Sequence, residues 1–333
     1  MTATCRVYVC TYRRNALLPR ALDSLLKQTF RDWICELHND DPEDPFPSRL
    51  AAGIADPRIV VVNHGRNYGA VETFNSFFKP VEEPFFSLLE DDNWWQPDFL
   101  EVMVSAMRDH PDVQVAWANM RVWEEEAGGS WRDTGRTVWE VGDGMPRLFR
   151  WPDPRQLHGA LHSQGAMLAR GGFAYPPVPP DVDLGAIEPF RERTFRHPLL
   201  LVPKPLANFS VTRTTARPAG RAGWAHAVTI LTGTYLATVP LSDTALQDVW
   251  RLARTGARST HTLFFAAARF PQCRHVVRFA RMEDWLWSAA YCLRHPRTTA
   301  QVWHLLQTRQ AQAAFLLQHA RQRQLEAEAQ SVP

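Results

Sequence analysis

No two cysteines in this 333-residue chain form a C-x-x-C pair; its five, Cys5, Cys10, Cys35, Cys273 and Cys292, are scattered. That spacing argues against both a zinc site and a disulfide framework. Cys5, Cys10 and Cys35 fall in or beside apolar, strand-like runs and are expected as small buried residues. The opening Met1-Thr-Ala-Thr-Cys-Arg6 lacks the basic-then-apolar pattern of a secretion signal and leads directly into a strand. The expectation is a cytoplasmic protein, with peripheral attachment at the inner face of the membrane open to it. No internal repeat is visible. No glycine stands in the first polar turn, Thr11 to Asn15, where a nucleotidyltransferase would want a phosphate loop.

Lysine is scarce in the last third, and acidic charge with it. From Leu201 onward there are 16 Lys and Arg against 6 Asp and Glu, with Lys204 the only lysine, whereas residues 1–200 carry 21 against 29. An acidic part followed by a basic part suggests two regions with different partners. A basic helical surface could meet anionic lipid head groups, a phosphorylated acceptor or nucleic acid, or it could pair with the acidic half. Between Arg221 and Asp243 formal charge is missing altogether. That stretch has the length of a bilayer span. Its four threonines, two glycines, His226 and Pro240 make it weakly hydrophobic, so a buried or membrane-facing helix is expected instead.

What is present is a regular alternation. Arg6–Cys10, Trp33–His38, Arg58–Asn63, Phe85–Leu89 and Val113–Asn119 read as strands. Apolar residues at helical spacing lie between them, as at Leu17, Leu18, Ala21, Leu22, Leu25 and Leu26. Such alternation predicts an α/β fold, a mostly parallel sheet flanked by helices. Trp123 to Pro154 reads as excursions and short antiparallel strands. After about Pro218 the strand signals fade into helices, so a domain over 1–218 and a basic helical domain over 219–333 are expected.

One cluster carries the most chemistry. Phe86, Leu88 and Leu89 run into Glu90-Asp91-Asp92-Asn93-Trp94-Trp95-Gln96-Pro97-Asp98. Carboxylates crowded at the end of a buried strand repel one another unless a cation neutralises them. A hard divalent ion binds through one or two carboxylates plus substrate phosphates. The alternative is an acidic turn capping the helix near Pro97, since Asp and Asn are ordinary caps.

The order of several motifs resembles family 2 glycosyltransferases. The family's opening strand and P-T-Y-N-R stand here as Cys10-Thr11-Tyr12-Arg13-Arg14, followed by Leu25-Leu26-Lys27-Gln28-Thr29 and by Asn39-Asp40-Asp41. Asn67-Tyr68-Gly69 with Asn75, the Glu90 to Leu100 stretch, Arg170-Gly-Gly-Phe173, Pro180-Asp181-Val182-Asp183-Leu184 and Leu201-Val-Pro-Lys-Pro-Leu206 continue the series. The match covers roughly residues 4 to 215.

The resemblance implies a GT-A fold and an inverting transfer of sugar from a nucleotide-diphosphate sugar, UDP above all, to an acceptor hydroxyl, in glycan or polysaccharide biosynthesis. It implies donor contacts by Thr11, Tyr12, Arg14, Asp40, Arg66, Asn67 and Asp91, with Asp40 at the base. It implies Mn²⁺ or Mg²⁺ held by Asp92, with Glu90 supporting. Asp181 is the implied general base and Asp183, two residues on, its rival; if a helix starts here, one of the pair caps it. His158 and His162 lie on the implied acceptor side and read as structural histidines. The acceptor is expected to be a saccharide, a lipid-linked group or another hydroxyl, with no nucleic acid. The C-terminal helices are expected to touch a membrane surface or a second copy. Glu90, Asn93 and Pro180 depart from the family pattern, which motivates an alternative: a catalytically silent binding or scaffold subunit. The Q-x-x-R-W motif of processive synthases is absent, which favours single addition.

Overall fold

A computed structural model describes residues 3–213, 221–255 and 259–331. The expected domain boundary between residues 218 and 219 lies outside them. The chain forms two compact units. The first takes residues 3–150, 162–177 and 195–213; the second takes 151–161, 178–194, 221–255 and 259–331.

The first unit is built on one sheet. Its strands are β1 (Cys5–Thr11), β2 (Trp33–Asn39), β3 (Ile59–Asn63), β4 (Phe85–Glu90), β5 (Trp94–Trp95), β6 (Val115–Glu125), β7 (Trp131–Thr137), β8 (Arg147–Phe149), β9 (Met167–Arg170) and β10 (Leu199–Val211). The spatial order is β3-β2-β1-β4-β9-β6-β10-β5, with β7 beside β6 and β8 beside β10. β1 pairs in parallel with both β2 and β4, whereas β9 runs antiparallel to β4 and β6. The mostly parallel arrangement expected from the alternation is present, and β7 and β8 are the short antiparallel strands of the middle section.

Period-two alternation decides the two faces. Cys5, Val7 and Val9 of β1 point to one side and pack against helix α1 (Leu18–Leu26) through Leu18, Ala21, Leu22 and Leu25. Pro19 sits harmlessly in the first turn, where its missing N–H breaks no helical bond. Helix α2 (Phe46–Ile54) and helix α4 (Phe99–Asp109) complete that layer with Phe46, Leu50, Phe99, Met103 and Met107. Each large side chain buried there contributes about 1.5–3 kcal/mol. On the opposite side Tyr8 stacks on Phe77 of helix α3 (Ala70–Phe77), ring centres 4.6 Å apart.

The sequence runs β1, β2, β3 outward in one direction and then places β4 on the other flank of β1. That reversal leaves a crevice beyond the carboxyl ends of β1 and β4, where open α/β sheets take their ligands.

The second unit is helical: α5 (Ile187–Glu192), α6 (Arg221–Thr238), α7 (Asp243–Arg254), α8 (Thr260–Arg269), α9 (Met282–Arg294), α10 (Pro296–Thr308) and α11 (Gln310–Ser331). The uncharged stretch is α6, buried along most of its length. Three of its threonines donate inside the helix, Thr229 Oγ1 to Ala225 O and Thr234 Oγ1 to Ile230 O at 2.7 Å, and Thr238 Oγ1 to Thr234 O at 2.8 Å. Gly233 is where Phe270 closes on the helix, since a Cβ there would lie 2.1 Å from its ring. Among the described residues no helix is long and apolar enough to cross a membrane.

Candidate functional site

The carboxyl ends of the parallel strands gather most of the residues singled out above. Register pairs Thr11 with Asn39 and Cys10 with Glu90, so the turns after β1, β2 and β4 open at one sheet edge. Thr11 is buried in that edge, while Tyr12 is 41% exposed beside it.

Arg14 closes the crevice between β1 and β4. Its Nη1 lies 2.6 Å from Asp92 Oδ2 and 3.1 Å from Asp91 Oδ1. The cation that the acidic cluster requires is therefore supplied, in part, by the protein itself. Burial still dominates at Asp91 and pushes its carboxyl up to about 6; Arg14 pulls the other way and Asp92 adds to the rise. Burial, with the nearby carboxylates, also drives the Cys10 thiol upward, which leaves it a poor nucleophile, although it is less fully buried than Cys5 and Cys35.

A second arginine, which the motifs did not single out, fixes the backbone of the cluster. Arg20 on α1 donates to Asp92 O at 2.7 Å and to Ser210 Oγ at 3.1 Å. Its guanidinium lies 3.8 Å from the Trp94 ring centre and 4.1 Å from that of Trp131. Burial lowers its pKa to about 10, so it stays cationic at neutral pH. Ser210 also donates to Asp92 O, and its own N–H donates to Asn93 Oδ1 at 3.0 Å. Basic and aromatic residues so far apart in sequence carry no local signal of this contact.

Glu90 and Asp92 face different partners. Asn93 Nδ2 donates to Glu90 Oε2 at 2.7 Å, and Gly165 packs on that carboxylate so closely that a Cβ would come within 2.6 Å. Asp92 has a side chain 15% exposed at the crevice. Among the described residues no three His, Cys, Asp or Glu side chains group into a cation cage. The donor set instead fits the sparse binding of a hard ion, one carboxylate at Asp92 with substrate phosphates supplying the rest.

Asp40 is held from three directions. Its Oδ1 accepts from Tyr68 N at 2.8 Å, its Oδ2 from Gly69 N at 2.9 Å, and His64 Nδ1 lies 2.8 Å from Oδ1. Gly69 sits at φ +77°, a left-handed conformation that glycine adopts without strain, and this turns its N–H toward Asp40. Arg66 and Asn67 belong to the same loop. Arg66 is exposed, paired with Glu72 at 2.7 Å, and lies 4.5 Å from the Tyr68 ring centre.

Asp181 and Asp183 belong to the helical unit. Asp183 caps the short 3₁₀ turn Leu184–Ala186, its Oδ1 accepting from Gly185 N at 3.1 Å. The carbonyl of Asp181 accepts from Arg309 Nη1 at 2.8 Å and Gln312 Nε2 at 2.9 Å, while its carboxylate is 46% exposed and 3.6 Å from Arg309 Nε. His226 is near them; burial first, and Arg309 second, lower its pKa to about 4, against the pull of Asp181. His158 follows the 3₁₀ turn Pro154–Leu157, and burial lowers its pKa. His162 is buried against Phe195 in the sheet unit, 5.0 Å between ring centres.

Residues 6–163 match the family model for glycosyl transferase family 2. Among curated proteins, the chain is 28% identical over 106 residues to the uncharacterized protein y4gI of Sinorhizobium fredii, covering 31% of this chain and 12% of that protein. It is 25% identical over 121 residues to the putative colanic acid biosynthesis glycosyl transferase WcaA of Escherichia coli, covering 36% of this chain and 43% of WcaA. The match thus spans less than half the length of either curated relative. Among solved structures, S. aureus TarS 1–349 in complex with UDP superposes with a TM-score of 0.59 at 13% identity, over 98% of this chain and 92% of that one. The same protein in complex with UDP-GlcNAc gives 0.53 at 13% identity, over the same shares. At that identity the likeness is one of fold, and the fold is GT-A.

Proposed function

From the premise that residues 6–163 are a glycosyl transferase family 2 domain, we propose that this protein transfers a sugar, with inversion, from a UDP-type donor to an acceptor hydroxyl. The single observation that carries the reading is the Arg14–Asp91–Asp92 cluster at the switch point of the sheet, beside an Asp40 anchored to the Arg66–Gly69 loop. Similarity to a TarS fold in complex with UDP and with UDP-GlcNAc supports the donor class. Similarity to WcaA supports a place in glycan or polysaccharide synthesis.

In this mechanism Thr11, Tyr12, Asp40, Arg66 and Asn67 line the base and ribose. Arg14 lies ready to exchange its carboxylate partners for the donor's diphosphate, to which a bidentate guanidinium is suited. Mn²⁺ or Mg²⁺ at Asp92 would supply Lewis-acid neutralisation of the departing nucleoside diphosphate. Arg20 keeps the Asp92 backbone fixed throughout. Asp181 accepts the acceptor hydroxyl's proton; what favours it over Asp183 is that Asp183 is engaged as a cap. We also propose that α9 meets an anionic membrane surface through exposed Met282, Trp285, Leu286 and Leu293, flanked by Arg281 and Arg294.

The assignment of the base is tested by turnover of a UDP-sugar with Asp181→Asn and Asp183→Asn. Asp181→Asn is expected to lower kcat by about 10²–10⁴-fold with UDP affinity unchanged, and Asp183→Asn to keep most activity. Equal activity of Asp181→Asn and the wild type would remove Asp181 from the mechanism.

A further inference from the structure

Behind Asp40, on the face of the sheet covered by α3, a line of polar side chains, buried at His38 and half-buried at Glu36, runs back along β2. Glu36, His38 and Asp40 alternate along the chain and so share one face. His64 Nδ1 is 2.8 Å from Asp40 Oδ1, His64 Nε2 is 2.9 Å from His38 Nδ1, and His38 Nε2 is 3.1 Å from Glu36 Oε2. Arg6 then joins Glu36 to Glu83. Both histidines are buried.

Hydrogens can be counted along this line. Asp40 accepts two backbone N–H groups and is a carboxylate. The hydrogen bond from His38, chiefly, and the charge of Arg6 hold Glu36 below the usual carboxylate range, so it too is ionised. Each end of the line therefore needs a hydrogen on the ring nitrogen it meets, His64 Nδ1 and His38 Nε2. The central contact between the rings needs one more. Three hydrogens on two imidazoles are one more than two neutral rings carry. We propose that His38 and His64 form a single unit sharing one extra proton, and that this unit is a positioning device for the Arg66–Gly69 loop at the donor's base. The second half rests on the function proposed above.

The groups facing the pair leave its charge balanced by the two carboxylates. β1 contributes Arg6 and Tyr8, β2 contributes Glu36, the turn after it Asp40, the loop contributes Tyr68 with Arg66 across its ring, and Lys79 acts on Glu36 from beyond α3. α3 itself presents the uncharged Phe77, 4.8 Å from the His38 ring centre. Removing the shared proton leaves two lone pairs facing each other at one of the three contacts. Adding another sets N–H against N–H between the rings. Either change loosens the grip of His64 on Asp40, and with it the Tyr68 and Gly69 amides that Asp40 holds.

Nitrogen-15 NMR of the histidine rings at neutral pH counts the hydrogens without any nucleotide. Three ring N–H groups shared by His38 and His64 are expected; two, one per ring, would overturn the shared proton. Amide exchange then reads the loop. His64→Leu is expected to speed exchange at Tyr68 and Gly69, while His64→Asn, whose amide can still donate to Asp40, is expected to restore protection. In UDP titrations His64→Leu is expected to weaken affinity about tenfold, with kcat at saturating donor little changed, as loss of one buried hydrogen-bond partner predicts. Unchanged exchange and unchanged affinity in His64→Leu would overturn the positioning role. A wild type that binds no nucleotide would overturn the proposed function and the link to the base, while ring counting and exchange would still decide the pair's hold on the loop.

Discussion

At Asp91 burial and chemistry oppose each other most directly. Its carboxyl is pushed up to about 6 by burial, which Arg14 offsets only in part. An unfolded Asp titrates near 3.9, so between about pH 4 and the folded value the native state holds a proton the unfolded chain has released. The Asp91 contribution is fully present below that window and is lost as pH rises through it. Asp91→Asn should therefore raise stability at pH 7, by ~2–3 kcal/mol, and flatten the dependence between about pH 4 and 6. Thermal melts across that range check it, and a lower melting temperature at pH 7 would contradict it. The motif pattern pointed to Asp91 as a donor contact, yet its cost depends on depth of burial, which no local pattern encodes. Arg14 was legible as part of the first turn; its ion pair with both carboxylates was not, because it spans 77 and 78 residues.

Among the described elements, α9 exposes several large apolar side chains. Met282, Leu286 and Leu293 recur at helical spacing and are exposed, with Arg281 and Arg294 at the two ends. Leu286→Ser with Leu293→Ser should reduce sedimentation of the full chain with vesicles containing anionic phospholipid, while leaving UDP turnover in solution unchanged. Binding unaffected by the substitutions would remove this face from any membrane contact, and a change in oligomeric mass instead would assign it to a second copy. Elements with a clear period were legible: β1, β2, β3, β4, α1 and α4 all stand where alternation or helical spacing put them. Helix α2, which no reading of the sequence singled out, starts after Pro45 as its cap and carries Pro47 in its first turn. α6 was legible as a helix without charge, but its burial among other helices rather than against lipid came from tertiary packing, as at Gly233 and Phe270.

In the molecule as a whole, the acidic and basic halves noted in the composition correspond broadly to a sheet unit carrying the carboxylate cluster and a helical unit rich in arginine. The correspondence is not a single cut, since 151–161 and 178–194 fold with the helices. The order of the motifs sufficed to imply the GT-A sheet by resemblance, and those after β1, β2 and β4 do fall at the carboxyl ends of paired strands. They did not reveal Arg20, Ser210 or the His38–His64 pair, which act across strands and helices distant in sequence. The central claim is that the crevice between β1 and β4 binds a nucleoside diphosphate with a divalent ion at Asp92. Calorimetric titration of UDP into the full chain, with and without Mn²⁺, tests it most directly. Saturable binding strengthened by Mn²⁺, with that strengthening lost in Asp92→Ala, is the predicted result; no binding of UDP in either condition would contradict the account.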